Sequence, residues 1–208
     1  MEDVLEIYQR PLDPARPVIC MDESSKQLVG ETRTVLPVVP GHPRREDYEY
    51  ARHGVANLFL FSEPLTGWRE VQVTERRTRT DWAEAMRELA NQHYPTAERI
   101  TVVLDNLNTH GPASFYEAFA PDEARRLTER FEFHYTPKHG SWLNIAEIEL
   151  SVLSRQCLNR RIGEAGLLQR EIEAWQQKRN EANKTIDWQF TTADARIKLK
   201  RLYPVIKT

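Results

Sequence analysis

The chain lacks most of what would tie it to a membrane, to an oxidising compartment or to nucleic acid through bulk charge. It has two cysteines, Cys20 and Cys157, both set in apolar patterns. That usage predicts reduced core thiols in a cytoplasmic protein rather than a disulfide. No run approaches the roughly 20 apolar residues of a membrane span. The start, Met1-Glu2-Asp3-Val4, is acidic and has neither the basic lead nor the apolar middle of a signal peptide. Internal repeats and low-complexity stretches are absent. Neither sign of charge dominates: 29 Lys and Arg face 31 Asp and Glu, for a net charge of −2. A stand-alone DNA-binding module is usually basic, so any contact with nucleic acid must come from local clusters.

What is present is a chain of 208 residues, 40% hydrophobic and 29% charged, long enough to bury a sizeable core in one large domain. Residues 1–17 contain Pro11, Pro14 and Pro17 and no clear period, which predicts a linker or lead-in. Residues 18–208 form the expected domain, ending in a helical, basic tail. Apolar runs predict strands over 18–22, 56–61, 69–74, 99–104 and Phe131–Tyr135, with one more at 27–33 inside an irregular insertion. The run over 69–74 alternates and suits a sheet edge, whereas the continuous run over 99–104 suits the centre. Helical spacing predicts helices over 80–93 with Thr80 as cap, over 112–119, Pro121–Arg130, 143–158, 164–183 and 192–202. The order predicts an α/β fold: a mixed five-stranded sheet flanked by helices.

Three acids stand where a carboxylate is awkward for folding. Asp22 ends Val18-Ile19-Cys20-Met21, Asp105 ends Ile100-Thr101-Val102-Val103-Leu104, and Glu147 opens a helical pattern after Trp142-Leu143-Asn144-Ile145-Ala146. A buried carboxylate is costly unless it is paired or holds a cation. If the first two strands are parallel neighbours, both aspartates emerge at one sheet edge, where open α/β sheets place ligands. Brought together, the acids would bind magnesium, which prefers oxygen donors. Two such ions about 3.5–4 Å apart activate water and stabilise the leaving oxygen of a phosphodiester. One ion would sit between Asp22 and Asp105, the other between Asp22 and Glu147. Helical phase does not choose between Glu147 and Glu149, since both flank the stripe Leu143, Ala146, Leu150, Leu153 and Cys157.

Four segments carry a family likeness: Cys20-Met21-Asp22-Glu23; Arg44 with Tyr48-Glu49-Tyr50-Ala51-Arg52-His53-Gly54; Leu104-Asp105-Asn106-Leu107-Asn108-Thr109-His110; and Tyr135-Thr136-Pro137-Lys138-His139-Gly140-Ser141-Trp142-Leu143-Asn144-Ile145-Ala146-Glu147. In them the chain resembles the catalytic domain of a DDE transposase of the mariner-like superfamily, in its bacterial insertion-sequence branch, from about residue 18 to 205. The resemblance implies a ribonuclease-H-like fold and Asp22, Asp105 and Glu147 as the catalytic, metal-binding acids. It implies two Mg2+ or Mn2+ ions, hydrolysis of a strand at the transposon end, and attack of the freed 3′-hydroxyl on target DNA. Double-stranded DNA is then the partner and a homodimer the active form, in a bacterial cytoplasm. An N-terminal helix-turn-helix region, usual in such enzymes, would be separate or missing. The family's more usual Leu-Asn-Pro-Ile-Glu reads Leu143-Asn144-Ile145-Ala146-Glu147 here, without proline. Extra length between the second and third acids falls in 111–130.

Other residues have a DNA reading beside a plainer one. Arg44, Arg45 and Arg52 would follow the DNA backbone from the insertion, and Arg76 and Arg77 belong to a cluster that is otherwise a solvated surface. His110 would orient the loop after Asp105 or touch a phosphate; a local hydrogen bond serves equally. Lys138 and His139 precede a helix start suited to phosphate, or form an exposed turn. Trp142 would stack on a base or pack against the sheet. Glu149 is expected in a surface salt bridge, and Glu23 near the acids without being a ligand. Two other functions compete: a non-transposing nuclease of the same fold, and an inactive truncated remnant that only binds DNA. Removing Asp22 or Asp105 is expected to abolish cleavage and to relieve carboxylate repulsion.

Overall fold

The computed structural model describes residues 1–33, 39–41 and 48–203. Its centre is a five-stranded sheet built from β1 (Val18–Glu31), β2 (Tyr50–Glu63), β3 (Trp68–Thr74), β4 (Ile100–Leu104) and β5 (Phe131–Tyr135). The spatial order is β3-β2-β1-β4-β5. β1, β2 and β3 pair antiparallel, while β4 runs parallel to both β1 and β5. This is the mixed sheet the element order predicts. β4 has all five residues buried, as its unbroken apolar run requires, and β3 takes an edge.

Side-chain alternation divides the core in two. On one face Ile19, Met21, Phe59, Phe61, Val102 and Leu104 pack under α2 (Arg79–Glu88), α3 (Pro112–Ala118) and α4 (Pro121–Arg130). On the other, Cys20, Leu58, Leu60 and Val103 pack under α1 (Glu2–Ile7), α5 (Ala146–Leu153), α6 (Ala165–Glu181) and α7 (Thr192–Lys198). Asp22 shares the parity of Cys20 and so belongs to the face that carries α5. Both cysteines are free thiols, as expected. No helix among the described residues is long and apolar enough to cross a membrane.

Several boundaries differ from expectation, each for a local reason. The runs over 18–22 and 27–33 belong to one strand, β1. Its polar middle, Ser24-Ser25-Lys26, stays extended because β2 pairs with it residue by residue, with a register shift between Gln27 and Val29. The α2 cap is Thr78, not Thr80: its hydroxyl accepts from Asp81 N–H while the Asp81 carboxylate accepts from Thr78 N–H. Such a box satisfies two orphan donors at once. The stretch expected as lead-in carries α1, whose Val4, Leu5 and Ile7 are buried. Their apolar burial contributes roughly 5–9 kcal/mol before entropy is counted. The extra length at 111–130 folds as α3 and α4. Gly67, in the β2–β3 turn, has φ +74°, and a Cβ there would lie 2.8 Å from the Asn183 carbonyl carbon. No other residue fits that turn without displacing the segment after α6.

Candidate active site at the edge of the sheet

The register of β1 and β4 brings the two aspartates together. Val18, Ile19 and Cys20 lie opposite Thr101, Val102 and Val103. Continuing by two residues puts Asp22 level with Asp105, one strand spacing of about 4.8 Å away in backbone terms. Asp22 does not end its strand, as the apolar run suggested, because β1 continues to Glu31. What ends there is the partner: β4 stops at Leu104, while β1 runs on past it. The third acid arrives on α5, which packs on β1 and β2.

Asp22 Oδ1 accepts from the Glu23 N–H at 2.8 Å. Burial, reinforced by the Asp105 and Glu147 charges, pushes its carboxyl up to about 6 against that hydrogen bond. Asp105 Oδ1 lies 2.6 Å from His110 Nδ1, and His110 Nε2 lies 3.0 Å from Glu23 Oε2. Burial opposes the imidazolium, but the two carboxylate hydrogen bonds outweigh it and raise His110 to about 9. His110 is thus held in its charged form between Asp105 and Glu23, and its ring stacks 5.7 Å from Trp82. Glu23 touches His110 and, at 3.5 Å, Arg77.

The structure separates the two glutamates that helical phase left open. Glu149 is not in a surface salt bridge; it is buried, 1% exposed, with Arg179 at 2.8 and 3.1 Å and Arg69 Nε at 3.1 Å. The Arg69 contact is an ion pair too oblique to count as a hydrogen bond. Both Glu149 oxygens are committed to arginines. Glu147 instead lies close enough to Asp22 to raise its carboxyl.

The donor set fits a hard divalent ion. It is all oxygen, partly buried and mutually repulsive, and among the described residues no cationic side chain pairs with Asp22 or Glu147. The acids are drawn into one another's field without forming a closed cage: among the described residues no three Asp, Glu, His or Cys side chains stand close enough to enclose an ion. Carboxylates held this way cost stability. The Asp22 carboxyl rises from 3.8 to about 6, so its ionised form is disfavoured in the fold. The penalty is absent below the unfolded value near 4 and complete above about 6. Asp22→Asn is therefore expected to stabilise the metal-free protein by about 2–3 kcal/mol at pH 7.5 and by almost nothing at pH 3.5. Thermal melts in chelator at the two pH values check this; equal gains at both would contradict it.

The remaining sequence candidates scatter. Arg77 reaches the site through Glu23, while Arg76 is exposed beside it. Lys138 and His139 form an exposed turn before Gly140, His139 having φ +64°. Trp142 is 42% exposed and meets Phe190 edge-on at 5.8 Å, so it packs on the C-terminal segment rather than on the sheet. Arg52 bonds Tyr50 Oη at 3.2 Å. Arg52 pairs with Val29 while Leu60 pairs with Asp22, which puts Arg52 roughly 25 Å along the hairpin from the acids. Arg44 and Arg45 lie outside the described residues. Asn144 and Tyr8 were not foreseen as site residues. Asn144 stood inside the quoted motif, but nothing in the sequence shows which backbone groups it reaches.

Fold and site together define a ribonuclease-H-like α/β protein with an acid cluster at the sheet edge. The family described as "DDE superfamily endonuclease" matches residues 17–169, and the chain belongs to it. No curated protein matches. Among solved structures, the chain is similar to the Mos1 Strand Transfer Complex, with TM-score 0.60 and 14% identity, covering 87% of this chain and 53% of that one. It is also similar to the Mos1 transposase paired-end complex with left transposon end, with TM-score 0.56 and 16% identity, covering 85% and 53%. The Mos1 mariner paired end complex with Mn gives TM-score 0.55 at 17% identity, covering 87% and 54%. The chain thus spans about half the length of the transposase chains it matches.

Proposed function

We propose that the chain is the catalytic domain of a DNA transposase, in which Asp22, Asp105 and Glu147 hold two divalent ions, Mg2+ or Mn2+. What supports this is membership of the endonuclease family together with a register that sets Asp22 level with Asp105, the Glu147 charge acting on Asp22, and no cationic side chain on Asp22 or Glu147 among the described residues. Bound divalent ions supply water activation and stabilisation of the leaving oxygen. The chain's own part is placement. β1 and β4 set the two aspartates level, His110 fixes the Asp105 carboxylate, and α5 presents Glu147. The same acids would serve hydrolysis at a transposon end and attack by the freed 3′-hydroxyl on target DNA. Double-stranded DNA is the partner, engaged by a dimer, with end recognition by a helix-turn-helix region outside these residues. The assignment to a bacterial insertion sequence, and to that cytoplasm, rests on the quoted motifs.

The test is a strand-transfer assay with a pre-cleaved end, target DNA and Mn2+. Joining of the 3′-hydroxyl to target is the expected result. Cleavage without joining would make the protein a nuclease of the same fold, and DNA binding without either would make it the inactive remnant. Affinity for DNA is expected to fall steeply with salt, since each phosphate contact contributes a slope of about −0.9 in log K against log salt. Arg77→Ala should shallow that slope by about one contact. An unchanged slope would remove Arg77 from the DNA surface.

A further inference from the structure

The sequence element Leu143-Asn144-Ile145-Ala146-Glu147 contains one buried amide that the chemistry above does not use. Asn144 is 1% exposed. Its Nδ2 donates to the Met21 carbonyl at 2.8 Å, across 123 residues of chain. Its Oδ1 accepts from the Ala146 N–H at 3.1 Å. Met21 immediately precedes Asp22, and Ala146 immediately precedes Glu147. A single side chain thus joins the backbone positions just before two of the three acids. Its own carbonyl accepts from the Glu147 N–H at 3.1 Å, so the first turn of α5 is tied to it twice.

Only a short amide does this. Aspartate offers no donor when ionised, alanine offers neither group, and glutamine is one methylene too long for a close-packed site. A second contact braces the same loop. Tyr8 Oη donates to the Leu143 carbonyl at 2.7 Å, receives the Ile145 N–H at 3.4 Å and lies 3.6 Å from Cys20 Sγ. Ile145 takes the place where the family more usually has proline. Its φ of −59° is one that proline would adopt, and its free N–H goes to Tyr8.

We infer that Asn144 is a positioning residue which sets the separation of Asp22 and Glu147 before any cation arrives. The inference rests on the metal reading proposed above. Two mutually repelling carboxylates would otherwise drift apart in the metal-free protein, and the ion would have to overcome that spread on binding. Partners that orient ligands from behind typically change metal affinity 10–100-fold when removed.

The test is Mn2+ binding to the full chain, measured by calorimetry without DNA, alongside thermal melts. Asn144→Ala is expected to weaken Mn2+ binding at least about 10-fold. Leu168→Ala, a core truncation in α6 that takes no part in the Asn144 hydrogen bonds, serves as the control for stability alone. It is expected to lower the melting temperature while leaving Mn2+ affinity within about twofold of the parent. Should Asn144→Ala fail to fold, Asn144→Leu keeps the volume without either hydrogen bond and takes its place. Parent-like Mn2+ affinity in the folded Asn144 variant, or an equal loss in Leu168→Ala, would overturn the positioning role alone. A parent that binds no Mn2+, or binds it unchanged after Asp22→Asn, would overturn the metal reading and this inference with it.

Discussion

Asp105→Ala is expected to lower DNA strand cleavage at least about 10^3-fold, which corresponds to about 4 kcal/mol of transition-state stabilisation. The acid sits level with Asp22 across a parallel strand pair, and its carboxylate is held there by the His110 ring. Glu23, which shares His110 with it, is already engaged by His110 and Arg77 and cannot substitute. Simple relief of repulsion would make the variant more stable, as for Asp22. The structure separates the two cases. Asp105 is one of two carboxylates that offset the buried His110 charge, so its removal leaves that charge on Glu23 alone. Asp105→Ala is therefore expected to melt slightly below the parent, whereas Asp22→Asn melts above it. Cleavage assays with Mn2+ on matched, folded variants decide the first point and melts the second. Full activity in Asp105→Ala would remove the aspartate from the catalytic set.

The parts of this architecture visible in sequence are those set by burial pattern. β4 reads as central because Ile100 to Leu104 is apolar on both faces, and β3 as an edge because it alternates. The level placement of Asp22 and Asp105 follows from β1 and β4 being parallel neighbours. The long β1–β2 hairpin did not show, because Ser24-Ser25-Lys26 has no strand signature apart from its cross-strand partners. Glu149 was misplaced for a related reason. Helical spacing tells which face a residue occupies, but not that two arginines, one on β3 and one on α6, meet it there. Asn144 was readable only as a motif letter: its bond to the Ala146 N–H is a local Asx-type contact, but its donor reaches the Met21 carbonyl 123 residues away, which no local rule supplies. Contacts across a hundred residues are where pattern stops and packing begins.

Those arginines make the second large expectation. Glu149 lies between Arg69, 1% exposed at its side chain, and Arg179, 17% exposed. Burial already pushes Arg69 below its usual value, while the Glu149 charge holds it up. Arg69 further donates to the Lys184 carbonyl at 2.8 Å, and Arg179 lies 5.5 Å over the Trp175 ring. The carboxylate thus sits between the buried Arg69 on β3 and the partly buried Arg179 on α6 and offsets both charges. Glu149→Ala removes it and leaves the buried Arg69 charge without its carboxylate; breaking a buried pair this way typically costs about 3–5 kcal/mol. For a chain of this size the melting temperature should fall by about 10 °C. Replacing all three residues together, as Arg69→Met, Glu149→Leu and Arg179→Met, should recover much of the loss, because no uncompensated charge remains. The milder Glu149→Gln also separates the two glutamates functionally. If Glu147 is the third acid, folded Glu149→Gln binds Mn2+ like the parent while Glu147→Gln does not. The reverse pattern would move the catalytic role to Glu149 and require its arginine pairs to open when the ion binds.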